Sequence, residues 1–265
     1  MKIIVAGSNA SNSSEVCREL GLYKLHSILN EKRDIENWDD SHFLMVDSGA
    51  HSWNKKDLAH VGMASKKKLP DAKEFLYTYI QFIKKHKDKK MVFVEFDVYN
   101  TLPYKYITDK YNEIMDIGGN FKLIRVYHEM LDGGSLDILR KWIDEGQDYI
   151  GVGADCAPIF DKIFSITKDK IKLHGFAMTK LPYIEKYPFW SVDSTSPLTT
   201  VIFGRYTTPI MNFKGREDVA RQKSIECYHE DNERLRNALI ETKMTQDYID
   251  ELWKKRGIEW KDLEW

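Results

Sequence analysis

Short apolar runs recur along the chain, and each stops at a carboxylate, a histidine or a glycine. Ile3 to Ala6 stops at Gly7, Phe43 to Val46 at Asp47, Met91 to Phe96 at Asp97, and Lys122 to Tyr127 at His128-Glu129. Asp148 to Val152 stops at Gly153-Ala154-Asp155, Ile171 to His174 at Gly175-Phe176, Phe189 to Val192 at Asp193, and Thr200 to Phe203 at Gly204-Arg205. Such runs, rich in β-branched and apolar residues, read as strands buried on both faces. Between them the apolar spacing turns helical. Residues 13–29 carry Val16, Leu20, Leu22, Leu25 and Ile28, and Pro70-Asp71 opens a helix with Phe75, Leu76, Tyr79, Phe82 and Ile83 on one face. Further helices are expected over 103–117, 135–145, 158–167 and 180–187, and residues 53–69 read as a long loop.

Eight strands alternating with helices imply parallel pairing and right-handed crossovers. Eight is the number that closes a (β/α)8 TIM-type barrel, so the expected class is an α/β barrel over residues 1–214, with an open doubly wound sheet as the alternative. From residue 215 the chain turns charged and helical, with Leu235, Leu239, Ile249, Leu252 and Trp253 as apolar positions. Residues 215–265 are therefore expected to form a C-terminal extension of two helices packed on the barrel.

Composition narrows the picture. The chain has 265 residues, 42% of them hydrophobic and 31% charged, with a net charge of −1. It can bury a large core, and any polyanion partner would have to meet local patches rather than a global positive charge. The three cysteines are scattered, which argues against a disulfide framework or a compact cysteine-zinc site and fits a reducing cytoplasm. No run approaches the roughly 20 apolar residues of a membrane helix, so no membrane partner is expected.

In a barrel of this kind the active site stands at the C-terminal ends of the strands. Any single Asp there can cap the following helix. The whole set points further: Asp47, Asp97, His128, Asp155, His174 and Asp193, with glycines Gly49, Gly153 and Gly175 where a flat ligand could approach the backbone. Two carboxylates facing one pocket suit substitution at an acetal-like carbon, one attacking and the other moving protons.

The order Val-Asp-Ser-Gly-Ala (46–50), Phe-Asp (96–97), Tyr-His-Glu (127–129), Ile-Gly-Val-Gly (150–153), His-Gly-Phe-Ala-Met-Thr (174–179) and Ser-Val-Asp-Ser-Thr-Ser (191–196) resembles the tRNA-guanine transglycosylase superfamily. It is most similar to the phage and bacterial group that puts 7-deazaguanine bases into DNA, the DpdA group. The resemblance covers residues 40 to 200. It implies that Asp193 is the nucleophile and Asp47 the general acid/base. It also implies that Asp97, His128 and Gly153 read the base, with Ser48, Gly49 and Ala154 as further substrate-binding residues, and that His174 and Gly175 line the sugar side; the Phe176 ring is placed to stack on a base. The implied partners are a nucleic acid, DNA rather than tRNA, and a 7-deazaguanine base such as preQ0. No cofactor and no metal is implied, because only Cys227 follows Asp193 and the cysteine cluster of the tRNA enzymes' zinc site is missing.

A base inside a duplex must be flipped out, or already be single-stranded, to reach such a pocket. Lys55, Lys56, Lys66, Lys67, Lys68 and Arg205 follow strand ends and are the candidate phosphate contacts. Lys84 to Lys90 precede a strand and fall on the opposite side. A tRNA-guanine transglycosylase, a nucleosidase or glycosidase that finishes with water, and a silent nucleic-acid-binding barrel stay open as alternatives.

Overall fold

The computed structural model describes residues 1–7, 13–39, 42–54, 69–167, 170–198 and 231–265. The fold is α/β, with the strand-helix alternation of a TIM-type (β/α)8 barrel and parallel pairing wherever register is defined. The strands are β1 (Lys2–Ala6), β2 (Tyr23–Ser27), β3 (Leu44–Asp47), β4 (Met91–Val94), β5 (Lys122–Ile124), β6 (Val126–Tyr127), β7 (Tyr149–Val152), β8 (Lys172–Gly175) and β9 (Ser191–Ser194). Seven of the eight expected runs are strands. The run at 122–127 is interrupted at Arg125, giving β5 and β6. The expected strand at 200–203 lies outside the described residues.

β2 corrects the sequence reading, which carried one helix through residues 13–29. The helix α1 ends at Glu19, and Tyr23-Lys24-Leu25-His26-Ser27 is a strand. Its polar residues hid it. Lys24 and His26 are fully buried, Lys24 donating to the Gly7 carbonyl and His26 standing 3.0 Å from Glu31. A second helix, α2 (Ile28–Glu36), follows. Then come α3 (His51–Asn54), α4 (Ala72–Lys85), α5 (Tyr104–Met115), α6 (Asp137–Asp144), α7 (Phe160–Thr167), α8 (Leu181–Lys186) and α9 (Asp231–Lys255).

The chain divides into two compact units, Met1–Leu25 with Tyr127–Glu264, and His26–Val126 with Trp265. In the first unit the strands run in the order β2-β1-β9-β8-β7-β6. Ile4 stands level with Asp193, and His174 with both Ser191 and Gly151. Strand alternation therefore puts Tyr149, His174, Ser191 and Asp193 on one face and Val5 on the other. Val5 packs with Val16 and Cys17 of α1, and with Leu235 and Leu239 of α9. Buried positions 235, 239, 242, 246, 249 and 253 form one stripe along α9. Gln246 in that stripe accepts from the Ile3 N–H at 2.8 Å, and Trp253 donates to the Ile184 carbonyl at 2.9 Å. Among the described residues the C-terminal extension contains this one helix, and residues 215–230, on which part of the two-helix expectation falls, lie outside them.

In the second unit β3, β4 and β5 pair in sequence order. Leu44, Val46, Met91, Phe93 and Leu123 face a core shared with Leu76, Tyr79 and Ile83 of α4 and Ile107, Tyr111 and Ile114 of α5. α4 starts where Asp71 Oδ1 accepts from the N–H groups of Lys73 and Glu74, at 2.9 and 3.2 Å, the N-cap role expected of that residue. Lys84 and Lys85 at its far end pair with Glu113 and Glu36. No helix among the described residues is long and apolar enough to cross a membrane.

Candidate active site

Four strand ends of the first unit form one row. Gly153 N donates to the Tyr127 carbonyl at 3.3 Å, Phe176 N donates to the Val152 carbonyl at 3.1 Å, and Gly175 stands level with Val192. His128, Gly153, Phe176 and Asp193 are thus neighbours by register, each just past or at the end of its strand. Asp193 is 9% exposed. Its Oδ1 accepts from the Ala177 N–H at 2.7 Å and lies 3.4 Å from His174 Nε2. Among the described residues both contacts fall on Oδ1, and Oδ2 has neither. Ala177 delivers its N–H from a left-handed backbone, φ 52°, in the turn that leaves β8.

Beneath Asp193 the polar contacts continue. His174, fully buried, places Nδ1 2.8 Å from Ser191 Oγ, and Ser191 Oγ lies 2.7 Å from the Tyr149 hydroxyl. Burial pushes the Tyr149 phenol well above its usual range, and the Asp193 charge adds to that. The Phe176 ring packs edge-on against His174 with centroids 4.4 Å apart. His174 therefore supports Asp193 from below.

At the other end of the row, His128 Nδ1 lies 3.1 Å from Asp155 Oδ1, and Asp155 Oδ2 accepts from the Glu129 N–H at 3.2 Å. Burial raises the Asp155 carboxyl, but the hydrogen bond and charge of His128 outweigh it, so the group sits below the ordinary carboxylate range. Gly153 makes this pairing possible. A Cβ there would come within 2.2 Å of Asp155 Oδ1 and 3.0 Å of His128 Nδ1. Ala154 follows, exposed, at the start of a 3-10 turn.

Asp47, Ser48, Gly49 and Asp97 belong to the second unit. Asp47 ends β3 and is half-buried. Ser48 is buried and donates to the Glu95 carbonyl at 2.9 Å. Gly49 has φ 79°, and a Cβ there would come 3.1 Å from Leu29 Cβ and 3.2 Å from Ser27 Oγ. Asp97 is half-buried, three residues past the end of β4. Lys55, Lys56, Lys66, Lys67, Lys68 and Arg205 lie outside the described residues.

Sequence reasoning did not single out Ser191, Tyr149 or Ala177, and it placed Asp155 among the strand-end groups without giving it a role. Ser191 was within reach, since it stands two positions before Asp193 and strand alternation turns both to one face. Asp155 ended an expected strand and needed only a partner. Tyr149 carries no local signal, because its contact with Ser191 spans 42 residues and is set by strand register.

No protein-family model matches the chain, and neither does any curated protein. Among solved structures, QR15, an aldolase, superposes with a TM-score of 0.43 at 13% identity, over 74% of this chain and 90% of its own.

Proposed function

We propose that the protein is an enzyme of nucleic-acid base exchange, replacing guanine by a 7-deazaguanine base such as preQ0 through a covalent sugar intermediate on Asp193. The observation that carries this reading is the state of the Asp193 carboxylate. One oxygen is pinned by the Ala177 N–H with His174 beside it, and the other takes neither contact among the described residues. A carboxylate held by one oxygen at a strand end can attack with the other.

In this reading Asp193 Oδ2 attacks C1′ of the target nucleotide, and the C1′–N9 bond breaks. The electron pair leaves with guanine, which takes a proton from the acid/base group. The incoming base, deprotonated by the same group, then attacks C1′ and expels Asp193. The motif resemblance assigns the proton transfers to Asp47. The His128–Asp155 pair over Gly153 supplies a polar edge beside the nucleophile's row, suited to the hydrogen-bonding edge of a flat base. The target nucleotide must be unpaired or flipped. DNA is favoured over tRNA by the motif resemblance and the missing cysteine cluster.

The test is incubation with guanine-containing single-stranded DNA, and separately tRNA, together with labelled guanine or labelled preQ0. Incorporation into DNA that is lost in Asp193→Ala supports the proposal. Incorporation confined to tRNA would reassign the substrate. Base release without incorporation would make the protein a nucleosidase, and no reaction on either nucleic acid would end the reading.

A further inference from the structure

We propose that Tyr149, Ser191 and His174 form a buried positioning relay that sets the tautomer of His174 and thereby chooses which oxygen of Asp193 reacts. The catalytic half of this inference rests on the nucleophile reading above, whereas the proton arrangement rests on geometry alone.

The arrangement follows from counting donors. A carboxylate only accepts, so the His174 Nε2 that faces Asp193 Oδ1 at 3.4 Å is favourable there only when it carries the proton. The neutral ring then presents a lone pair at Nδ1, and Ser191 Oγ, 2.8 Å away, must donate to it. Ser191 has one proton, now committed, so at 2.7 Å the Tyr149 hydroxyl must be the donor to Ser191. Every proton has one place, running from Tyr149 to Ser191 to His174 to Asp193. Protonating His174 at Nδ1 instead would aim the Nε2 lone pair at Asp193 Oδ1 and reverse the Ser191–Tyr149 bond, so that the Tyr149 oxygen accepts and its own proton loses this partner, which costs free energy.

The Nε2–Oδ1 contact is long, and Nε2 makes no hydrogen bond among the described residues. It acts as an oriented charge-dipole contact that can tighten once substrate is bound, as catalytic hydrogen bonds commonly do. With the Ala177 N–H it fills Oδ1 and leaves Oδ2 to attack. Tyr149, His174 and Ser191 are all buried on the face that carries Asp193. Apolar residues would pack there without this chain of dependent hydrogen bonds.

Imidazole 15N spectra of the full-length protein test the arrangement directly. The expected result is His174 as the Nε2–H tautomer in the wild type, with that preference weakened in Ser191→Ala and Tyr149→Phe. Kinetics test the consequence, with radiolabelled guanine exchanged into a guanine-containing single-stranded oligonucleotide. Ser191→Ala should lower kcat about tenfold, the equivalent of one lost hydrogen bond, and leave KM within about twofold. Ser191→Thr keeps the hydroxyl and should recover most of the rate. Tyr149→Phe should fall between the two, and it serves with Ser191→Thr if Ser191→Ala does not fold by thermal melting.

An Nδ1–H tautomer in the wild type, or wild-type kcat in Ser191→Ala and Tyr149→Phe, overturns the relay. If the wild type exchanges no base into DNA or tRNA, the nucleophile reading fails. The spectra then decide the relay alone, with Nε2–H supporting it and Nδ1–H overturning it.

Discussion

Asp193 lies one residue before the end of β9 in the first unit, and Glu95 follows β4 in the second. Both carboxylates are nearly withdrawn from solvent, at 9% and 4% exposure. Glu95 is enclosed. Its Oε2 accepts from the Tyr99 hydroxyl at 2.8 Å and the Val126 N–H at 3.1 Å, next to the charge of Arg125. Arg125 interrupts the strand between β5 and β6, lies 4.0 Å from the Tyr111 ring and reaches Asn112. Glu95 therefore holds a broken strand under α5. Asp193 has its two contacts on one oxygen, at a strand end lined by glycines, a histidine and an aromatic ring. The number of contacts does not separate them, since Glu95 also takes both on one oxygen. What differs is the surroundings, a charged arginine inside the core against a strand end, and on the proposed reading Asp193 is the reactive group and Glu95 the structural one.

The sharpest way to break this contrast is to replace each carboxylate. Asp193→Asn keeps the Oδ1 acceptor and removes the attacking oxygen. Base exchange should fall on the order of 10^4-fold, while the thermal midpoint barely moves. Glu95→Ala should do the reverse. It strands Tyr99, Val126 N–H and the Arg125 charge, and urea unfolding should show a loss of about 3–5 kcal/mol, with kcat per folded molecule unchanged. If Glu95→Ala lowers kcat more than stability, the division of roles is wrong.

Protonation tests the Glu95 side of the contrast. Burial, partly opposed by Arg125, Tyr99 and Val126, raises the Glu95 pKa from 4.5 to about 7. Between those values the folded state binds a proton that the unfolded state has released. Stability from this group is therefore full below about pH 4.5 and is lost as pH rises through 7, by on the order of 3 kcal/mol. Glu95→Gln should flatten that slope in denaturation measured across the window.

A smaller effect is expected from Gly153→Ala. The new methyl would displace His128 or Asp155, so KM for the base should rise about tenfold and kcat should change less. Smallest of all is Asp71→Ala, which removes the α4 cap. It should cost about 1 kcal/mol of stability and leave exchange untouched.

How much of this could be read from the sequence depended on where polar atoms were hidden. Parallel strands covered on both faces left plain apolar runs, so β3, β4, β7, β8 and β9 were legible, and so were the polar groups that end them. β2 was not, because Lys24 and His26 break its apolar pattern, and their contacts with Gly7 and Glu31 appear only once the chain is folded. Glu95 sat inside an apparently uniform run, Met91 to Phe96, with nothing local to mark a carboxylate that anchors the Arg125 break. At the candidate site, Asp193, His128 and Gly153 showed themselves as strand terminators. Tyr149 and Ser191 did not, since their partnership exists only once β7, β8 and β9 are aligned.

The turn at Ala177 limits how this sequence can drift. Its φ of 52° is open to glycine and tolerable for alanine or asparagine, but closed to valine, isoleucine and threonine. A position that is exposed and touches Asp193 only through backbone would look neutral to any survey of side-chain contacts. It should nonetheless behave in a saturation library like a constrained site, accepting a narrow alphabet chosen by backbone shape rather than by chemistry.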